Sequence, residues 1–355
     1  MTAATSIDQG KLEAIVGQAV TDFGATISAA LVVIGDQLGL YKTLAGSEPM
    51  SVDELARRTG TNEHYVYPWL VNQAASGYVT YCTETDRYTL TPEQAVAMTD
   101  ETSPFYVGGG FEVMTSAIKA APRITDAFKS GDGLAWGEHD HGLFEGTERF
   151  FRPGYEANLI QSWIPALDGL SEKLEAGATV ADIGCGHGAS TLIMAKAFPR
   201  SRFFGYDFHA ASIERARELA NQEGLGDRVL FDVADAAEYP GGSYDLVTYF
   251  DCLHDLGDPI GAMRQTWRAL KPNGHVLIVE PMAGENVAGN LNPVGRIFSG
   301  ASVLICTPNA LASGGNGLGT IATDQALGDV AREAGFTQFR RATATPFNRI
   351  FEARK

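Results

Sequence analysis

The stretch that decides the fold is Val180-Ala181-Asp182-Ile183-Gly184-Cys185-Gly186-His187-Gly188. It is a β-rich run that ends in a glycine-rich turn, and the residues that follow, Ser190–Ala197, carry apolar side chains at helical spacing. A strand that ends in such a turn and opens a helix places backbone N–H groups and a helix N-terminus beside a ligand. The three glycines allow the sharp turn and the close approach of that ligand. The stretch therefore predicts a ligand-binding loop at the carboxyl edge of a parallel sheet.

Two features of this loop favour S-adenosylmethionine over a dinucleotide as the ligand. The glycine spacing is G-x-G-x-G, whereas the dinucleotide fingerprint is G-x-G-x-x-G. Asp182 precedes the loop, and a carboxylate there repels a pyrophosphate but suits a cofactor that carries an ammonium and a sulfonium charge. We expect Asp182 near the ammonium group. The amino-acid end of the cofactor is expected against Gly184, Cys185, Gly186 and Gly188.

Further acids follow the next two predicted strands. Asp207 ends one of them, where a carboxylate accepts hydrogen bonds from ribose hydroxyls, and Asp235 follows the other, within reach of an adenine amine. The predicted cofactor set is completed by Ala236, Phe208 and Phe250. The alternative is an ordinary Rossmann-like sheet whose turns happen to be acidic.

The rest of the C-terminal half alternates β-rich runs with helical patterns, which predicts an α/β fold with a doubly wound, Rossmann-like sheet. The predicted strands are Thr179–Gly184, Arg202–Asp207, Arg228–Asp232, Tyr244–Phe250, His275–Glu280 and a final hairpin of Phe336–Ala342 with Asn348–Ala353. The predicted helices are Ser190–Ala197, Ala211–Gln222, Ile260–Leu270 and Asp324–Ala334. A turn is expected at Lys271–Gly274. A Gly- and Asn-rich insertion from Met282 to Thr320 is expected to cover the acceptor, the second small molecule that would bind beside the cofactor.

The N-terminal part has the element order of a winged helix. Helices are predicted at Ile27–Leu44, Ser51–Thr59 and Asn62–Ser76, followed by two short strands around a polar turn. The predicted domains are a winged-helix dimerisation domain over residues 1–100, a helical linker and lid over 101–170, and a cofactor-binding domain over 171–355. The long apolar first helix suits a core shared by two subunits, so we expect a homodimer.

Composition restricts the class of partner and the compartment. The 355 residues carry a formal net charge of −16, which repels polyphosphate backbones and acidic membranes and favours a small-molecule partner over nucleic acid. The four cysteines include no Cys-x-x-Cys pair, and we interpret them as reduced thiols of a cytoplasmic protein. The N-terminus lacks a signal-peptide pattern, and we expect no apolar run of the roughly 20 residues that cross a bilayer.

Several of these runs resemble class I S-adenosylmethionine-dependent methyltransferases. The matching runs are VADIGCGHG, FFGYDF, DVADA, YDLVTYFDCLHD and LKPNGHVLIVEP. With the N-terminal part included, the chain is similar to actinobacterial methyltransferases sometimes labelled transcriptional regulators, and more distantly to small-molecule O-methyltransferases. The resemblance implies methyl transfer to a small molecule and a dimer formed through the winged helix.

The resemblance also implies a catalytic pair. His254 aligns with the general base of the O-methyltransferases that carry a Leu-His-Asp-Trp motif, and Glu280 takes the place of the glutamate that orients this base. Two positions depart from the family: Leu256 replaces the tryptophan, and Asn316 follows Gly314-Gly315 where the family has a second glutamate. The alternative is that His254 is structural, since an amine or thiolate acceptor needs no base. Methyl transfer from a sulfonium requires no metal, and none is expected.

Two residue groups leave alternatives open. Aromatic residues before residue 170 suit either a core or a lid over the acceptor, and Tyr155 is the one assigned to the acceptor. The winged helix also allows a DNA-binding regulator, or an inactive sensor of S-adenosylmethionine. However, the stretch that corresponds to the second helix of the motif, Thr61–Gln73, contains no Lys or Arg. Without phosphate-binding side chains, affinity for DNA is poor at physiological salt.

Overall fold

A computed structural model describes residues 7–355. The chain divides into two compact units, one that ends at Thr115 and one that runs Ser116–Lys355. The boundary lies inside the segment 101–170, which the sequence analysis treated as a separate linker and lid. The later part of this segment belongs with the sheet, because Trp163, Leu167 and Leu170 pack in the same apolar core as the strand residues Val180 and Leu246.

The first unit is mainly helical. Its elements are α1 (Gln9–Gln37), α2 (Leu40–Leu44), α3 (Val52–Thr59), α4 (Glu63–Ala75), β1 (Thr80–Cys82), β2 (Arg87–Thr89) and α5 (Pro92–Thr99), and α6 (Gly108–Ile118) spans the boundary. Helix α3 begins at a capping box, in which the Ser51 hydroxyl accepts from the Glu54 N–H and the Glu54 carboxylate accepts from the Ser51 N–H. Strands β1 and β2 pair antiparallel. This is the predicted winged-helix order.

The first helix differs from the predicted Ile27–Leu44. It begins earlier, at Gln9, because Asp8 caps it, and it ends before Gly39, whose φ of 68° breaks the helix. By length and composition alone it is apolar enough to cross a membrane, which corrects the expectation that no segment is. Its C-terminal end packs within its own unit, where a Cβ on Gly35 would lie 2.3 Å from the Trp69 ring.

The second unit contains the large sheet. Its helices are α7 (Ala121–Ser130), α8 (Gly142–Asn158), α9 (Leu170–Ala176), α10 (Ala189–Ala197), α11 (Ala210–Gln222), α12 (Pro259–Ala269), α13 (Pro293–Ala301), α14 (Thr307–Ala312) and α15 (Asp324–Ala334). Its strands are β3 (Thr179–Ile183), β4 (Arg202–Asp207), β5 (Val229–Val233), β6 (Tyr244–Phe250), β7 (Leu270–Pro281), β8 (Gln338–Ala344) and β9 (Asn348–Arg354). The predicted doubly wound α/β architecture is confirmed.

The order of the strands fixes the position of the glycine loop. The sheet runs β5-β4-β3-β6-β7-β9-β8; β3 to β7 are parallel, and β9 inserts antiparallel between β7 and β8. The chain moves outward from β3 to β5 and then returns to β6 on the other side of β3. Ligands bind at such a reversal, outside the carboxyl ends of the strands.

One region differs from the sequence prediction, and the insertion has a structure that the sequence did not predict. Residues 271–274, predicted as a turn, extend β7 at its start, next to a register shift between β6 and β7. The insertion is largely helical: α13 continues through a π-helical turn, Ser302–Cys306, into α14. Arg349, fully buried on β9, anchors the insertion because it donates to the carbonyls of Pro281 and Ala322, close to the two ends of that segment.

Candidate active site

A cavity opens at the carboxyl ends of strands β3 to β6, where the topology places it. Most of the predicted cofactor residues line it: Gly184, Cys185, Gly186, Asp207, Phe208, Asp235, Ala236 and Phe250. Tyr155 lines it as well. The predicted residues outside its lining are Asp182, Gly188, His254 and Glu280.

The glycine loop requires glycine for two separate reasons. Gly184, Gly186 and Gly188 all have positive φ, from 52° to 81°, which L side chains rarely adopt. A Cβ on Gly188 would lie 2.5 Å from the Phe231 ring, and one on Gly184 would lie 2.8 Å from Sγ of Cys252. Gly188 therefore packs the loop onto the sheet, while Gly184 and Gly186 present their backbone to the cavity.

Asp182 stabilises the glycine loop from within the sheet. Its carboxylate is buried and accepts hydrogen bonds from the hydroxyls of Ser190, Thr191 and Thr248, at 2.7, 2.6 and 2.9 Å. Burial raises the pKa of Asp182 to about 6. Asp182 lies outside the cavity lining, and its contact with the cofactor's ammonium stays a prediction. The three hydrogen bonds join β3 to the start of α10 and to β6, so they hold the loop between them.

Asp207 has a double role in the geometry of the site. Its carboxylate accepts from the N–H of Gly186 at 2.9 Å and from the N–H of His209 at 2.8 Å, and it lines the cavity. Burial raises the pKa of Asp207. The residue thus fixes the tip of the glycine loop relative to the end of β4.

The charge of the cavity wall selects the kind of ligand that fits. Six carboxylates line it: Glu148, Asp207, Asp235, Asp251, Asp255 and Asp258. Among the described residues no Lys or Arg does, and the one histidine, His187, is hydrogen-bonded through Nδ1 to Glu148 at 2.8 Å. Such a wall attracts a cation and repels a pyrophosphate. The residues present therefore fit the sulfonium and ammonium charges of S-adenosylmethionine.

A buried hydrogen-bond network at the end of β6 was not predicted from the sequence. Asp251 accepts from the hydroxyl of Tyr155 and from Nδ2 of Asn348, both at 2.9 Å. Burial, with the nearby carboxylate of Glu280, raises the pKa of Asp251 to about 7. The Tyr155 ring lies 5.3 Å from that of Phe250, and both line the cavity. An acid directly after a strand was visible in the sequence, but its partners come from distant positions.

The predicted catalytic pair is brought together. Nδ1 of His254 lies 2.7 Å from Oε2 of Glu280, and the backbone N–H of His254 donates to Oε1 at 3.3 Å. Both side chains are buried, at 2% and 0% exposure, and their neighbour Asp255 lines the cavity. Burial alone lowers the pKa of His254, but the Glu280 carboxylate outweighs it and holds that pKa well above its usual value. On its other side the ring contacts Cys306.

The insertion that was predicted to cover the acceptor contacts two other segments at the cavity. The N–H of Trp136 donates to Oδ1 of Asn309 at 3.1 Å, and Nδ2 of Asn309 donates to the carbonyl of Asp255 at 3.2 Å. Trp136, Asn309 and Asp255 all line the cavity. The insertion therefore connects the segment before α8 with the segment that carries His254.

Family models match two parts of the chain. A model described as a methyltransferase domain matches residues 174–307, and one described as an Rv2258c-like winged HTH domain matches residues 26–100. The first covers the glycine loop with His254, and the second covers the end of α1, helices α2 to α5 and the two-stranded ribbon.

Among curated proteins, the chain is similar to the 27-O-demethylrifamycin SV methyltransferase of Amycolatopsis mediterranei. The two are 32% identical over 181 residues, which is 48% of this chain and 64% of that protein. A sarcosine/dimethylglycine N-methyltransferase of Aphanothece halophytica is 29% identical over 51% of this chain and 67% of that protein. The chain thus spans less than two thirds of the length of the rifamycin enzyme.

Solved structures resemble the chain over nearly its whole length. Human N-acetylserotonin methyltransferase in complex with S-adenosylmethionine has a TM-score of 0.73, with 18% identity and 99% of each chain covered. The mitomycin 7-O-methyltransferase has a TM-score of 0.70, with 20% identity, 98% of this chain and 100% of that one covered. At these identities the likeness shows the fold.

Proposed function

We propose that this chain is an S-adenosylmethionine-dependent methyltransferase with an N-terminal winged-helix domain, and that it methylates a hydroxyl group of a small molecule. The observation that carries the proposal is the cavity itself, which is shaped by a loop of positive-φ glycines and lined by six carboxylates. When bound, S-adenosylmethionine supplies an electrophilic methyl group on a sulfonium.

The chain's own residues bind and orient the reactants. The backbone of Gly184 and Gly186 holds the amino-acid end of the cofactor, Asp207 accepts from the ribose hydroxyls, and Asp235 with Ala236 flanks the adenine. Methyl transfer is an in-line displacement, so most of the rate enhancement comes from holding the acceptor oxygen opposite the leaving sulfur. Trp136 and Asn309 line the same cavity, and they are the residues proposed to cover the acceptor.

His254 is the proposed base that takes the proton of the acceptor hydroxyl. Glu280 keeps Nδ1 protonated and turned away, so Nε2 is the atom that accepts the proton. Because its pKa is raised well above the usual value, the ring must first lose a proton, and the methylation rate should rise with pH. The acceptor reaches Nε2 only if Cys306 moves aside. The paired base favours a hydroxyl over an amine, which needs no base.

The enzyme is proposed to be soluble and cytoplasmic. The exposed apolar face of α1 supports a homodimer. Val20, Phe23 and Ile27 lie on this helix with 63–68% of their surface exposed. A contiguous apolar face of this kind marks an interaction surface. A second copy of α1 would cover it.

DNA binding is the weaker candidate for the first unit. Helix α4 carries no Lys or Arg, and its exposed side chains include Tyr65 and Tyr67. Arg57 is paired with Asp53 at 3.0 Å, and Arg87 with Glu54 at 2.5 Å. Few cations are therefore left for phosphates.

Calorimetry with S-adenosylmethionine, NAD and a DNA duplex tests the class, and a screen of phenol, amine and thiol acceptors with labelled methyl groups tests the reaction. We expect binding of S-adenosylmethionine alone and transfer to phenols. Binding without any transfer would favour the sensor, and binding of the duplex alone would favour the regulator.

The role of the base is tested with a matched pair of variants. His275 and Glu352 form a second buried pair at 2.8 Å in the same sheet, remote from the cavity lining. His254→Ala should lower turnover by roughly 10²–10⁴ with unchanged cofactor affinity. His275→Ala should keep its turnover. Equal losses in both variants would make His254 structural.

A further inference from the structure

On the side away from Glu280, the buried His254 ring contacts the Cys306 thiol and lies near the Asp255 carboxylate. With Nδ1 directed at Glu280, Nε2 is the ring atom left for another partner. Ligand atoms of His254, Asp255 and Cys306 all lie within 4.8 Å of one another. Within residues 7–355, no other group of three or more His, Cys, Asp or Glu side chains has this spacing.

We propose that His254, Asp255 and Cys306 form a binding site for a thiophilic divalent cation such as Zn²⁺, and that occupancy of this site switches the methyltransferase off. Imidazole, thiolate and carboxylate together are donors that zinc prefers. At ordinary zinc bond lengths a tetrahedral ion separates its donors by roughly 3.3–3.6 Å. A spacing of up to 4.8 Å therefore needs only small side-chain movements to close around an ion.

Glu280 supplies an independent feature of a metal site. Histidines that bind metals usually donate their other ring N–H to a carboxylate, which fixes the tautomer and the ring orientation. Glu280 accepts from His254 twice, through the ring and through the backbone N–H. Because Glu280 is fully buried, this arrangement is fixed before any ion arrives.

The ligands come from two short turns, and backbone hydrogen bonds from the insertion hold the turn of His254 in place. His254 and Asp255 belong to the single 3₁₀ turn Leu253–Asp255, and Cys306 ends the π-helical turn Ser302–Cys306. The N–H groups of Leu318 and Gly319, near the end of the insertion, donate to the carbonyl of His254 at 2.9 and 2.8 Å. Three ligands on a preorganised frame leave a fourth position for water.

Binding of the ion has a defined proton balance. The Cys306 thiol gives up its proton to solvent, and a protonated His254 ring likewise releases the Nε2 proton to solvent before the ion binds there. A thiolate and the Asp255 carboxylate then neutralise the two charges of the ion. Cadmium and cobalt would bind through the same donors, while Mg²⁺, which prefers oxygen, would not.

Inhibition follows from the single lone pair on Nε2, and this part rests on the proposed function. That lone pair either accepts the acceptor's proton or binds the cation. An ion between His254 and Cys306 also stops Cys306 from moving aside. Metal-bound enzyme would therefore hold S-adenosylmethionine and fail to methylate.

The site is tested without reference to activity by titrating the chelator-treated full chain with Co²⁺. We expect one equivalent to bind and to produce a thiolate-to-cobalt charge-transfer band. Cys306→Ser should abolish the band, while Cys82→Ser, which removes the thiol on β1, should leave it unchanged. No band, or the same band in Cys306→Ser, would overturn the site. Circular dichroism and S-adenosylmethionine affinity establish that each variant is folded.

The switch is tested by adding Zn²⁺ to active enzyme and removing it with a chelator. We expect reversible loss of methylation in the natural chain and in Cys82→Ser. In Cys306→Ser, relative to its own metal-free rate, the inhibiting concentration should rise at least about tenfold. A cobalt band without inhibition would overturn the switch alone. If His254→Ala retains its turnover, the base assignment fails, whereas the cobalt band still decides the site.

Discussion

The hydroxyl of Tyr155 donates a hydrogen bond to Oδ2 of Asp251 across 2.9 Å, which ties α8 to the end of β6. Asp251 is one of two non-glycine residues with positive φ among those the structure describes, at 50°. Its other oxygen accepts from Asn348, so both carboxylate oxygens hold the strand end in this conformation. The relationship makes Tyr155 part of a buried network at the cavity wall, and its assignment to the acceptor stays a prediction.

Removing the Tyr155 hydroxyl should destabilise the chain. In Tyr155→Phe the ring keeps its stacking on Phe151, but an oxygen of Asp251 is left buried without its donor. We expect the free energy of unfolding in urea to fall by about 1–3 kcal/mol. Tyr81→Phe is the control, because Tyr81 also donates to an aspartate at 2.9 Å, but at an exposed position. Its loss should stay below about 0.5 kcal/mol.

Asp251 should make stability depend on pH in a particular direction. Burial and the Glu280 carboxylate raise its pKa in the folded chain to about 7, so the carboxyl is neutral below that pH and ionised above it. Its contribution to stability is complete below the unfolded pKa near ~4 and is lost as the pH rises through 7. Asp251→Asn stays neutral and tolerates the positive φ. Its melting temperature relative to the natural chain should therefore rise from pH 5 to pH 8. A difference that does not change with pH would contradict the assignment.

Two alanine variants of the glycine loop distinguish the cost of a steric clash from the cost of backbone strain. Gly188→Ala places a methyl group 2.5 Å from Phe231 at a φ of 81°, whereas Gly186→Ala has the strained φ but no atom within 4 Å of the new Cβ. Backbone strain alone costs about 1–2 kcal/mol. Gly188→Ala should exceed that by a further 1–3 kcal/mol, about the cost of overpacking, in urea unfolding. Equal losses would show that Phe231 moves aside freely.

The parts of the site that follow strand ends could be predicted, because strand, turn and charge are local features. Gly184, Asp207 and Asp235 fall into this class, and all three line the cavity. The sequence does not show that Ser190, Thr191 and Thr248 fold back onto the carboxylate of Asp182.

Other features depend on contacts between residues far apart in the chain. Asn348 reaches Asp251 only because β9 inserts beside β7. Cys306 reaches His254 only because the insertion, for which the sequence predicted no secondary structure, is helical. The pairing of His254 with Glu280 was inferred from resemblance, and the geometry agrees.

Asp207 is predicted to dominate ribose recognition. Asp207→Ala removes an acceptor in the cavity and also the support for the Gly186 N–H. We expect the affinity for S-adenosylmethionine, measured by calorimetry, to fall by about 1–3 kcal/mol. Asp232→Ala removes an acid from the neighbouring strand that does not line the cavity, and it should bind normally. Unchanged affinity of Asp207→Ala would refute the ribose assignment.

The proposed dimer contact at the apolar face of α1 can be tested by charge substitutions. Phe23 and Ile27 are one turn apart, and both side chains are more than 60% exposed. If a second copy covers them, Phe23→Glu with Ile27→Glu buries two unpaired charges at the contact, which is strongly unfavourable. Light scattering after gel filtration should show a dimer for the natural chain. The double variant should dissociate at least about 100-fold more readily, a change of roughly 2.7 kcal/mol. Gln222→Glu, an added charge at the exposed end of α11, should remain dimeric. A natural chain that is monomeric at every concentration would remove the dimer from the proposal while leaving the cofactor site as it stands, because every residue that lines the cavity belongs to the second unit.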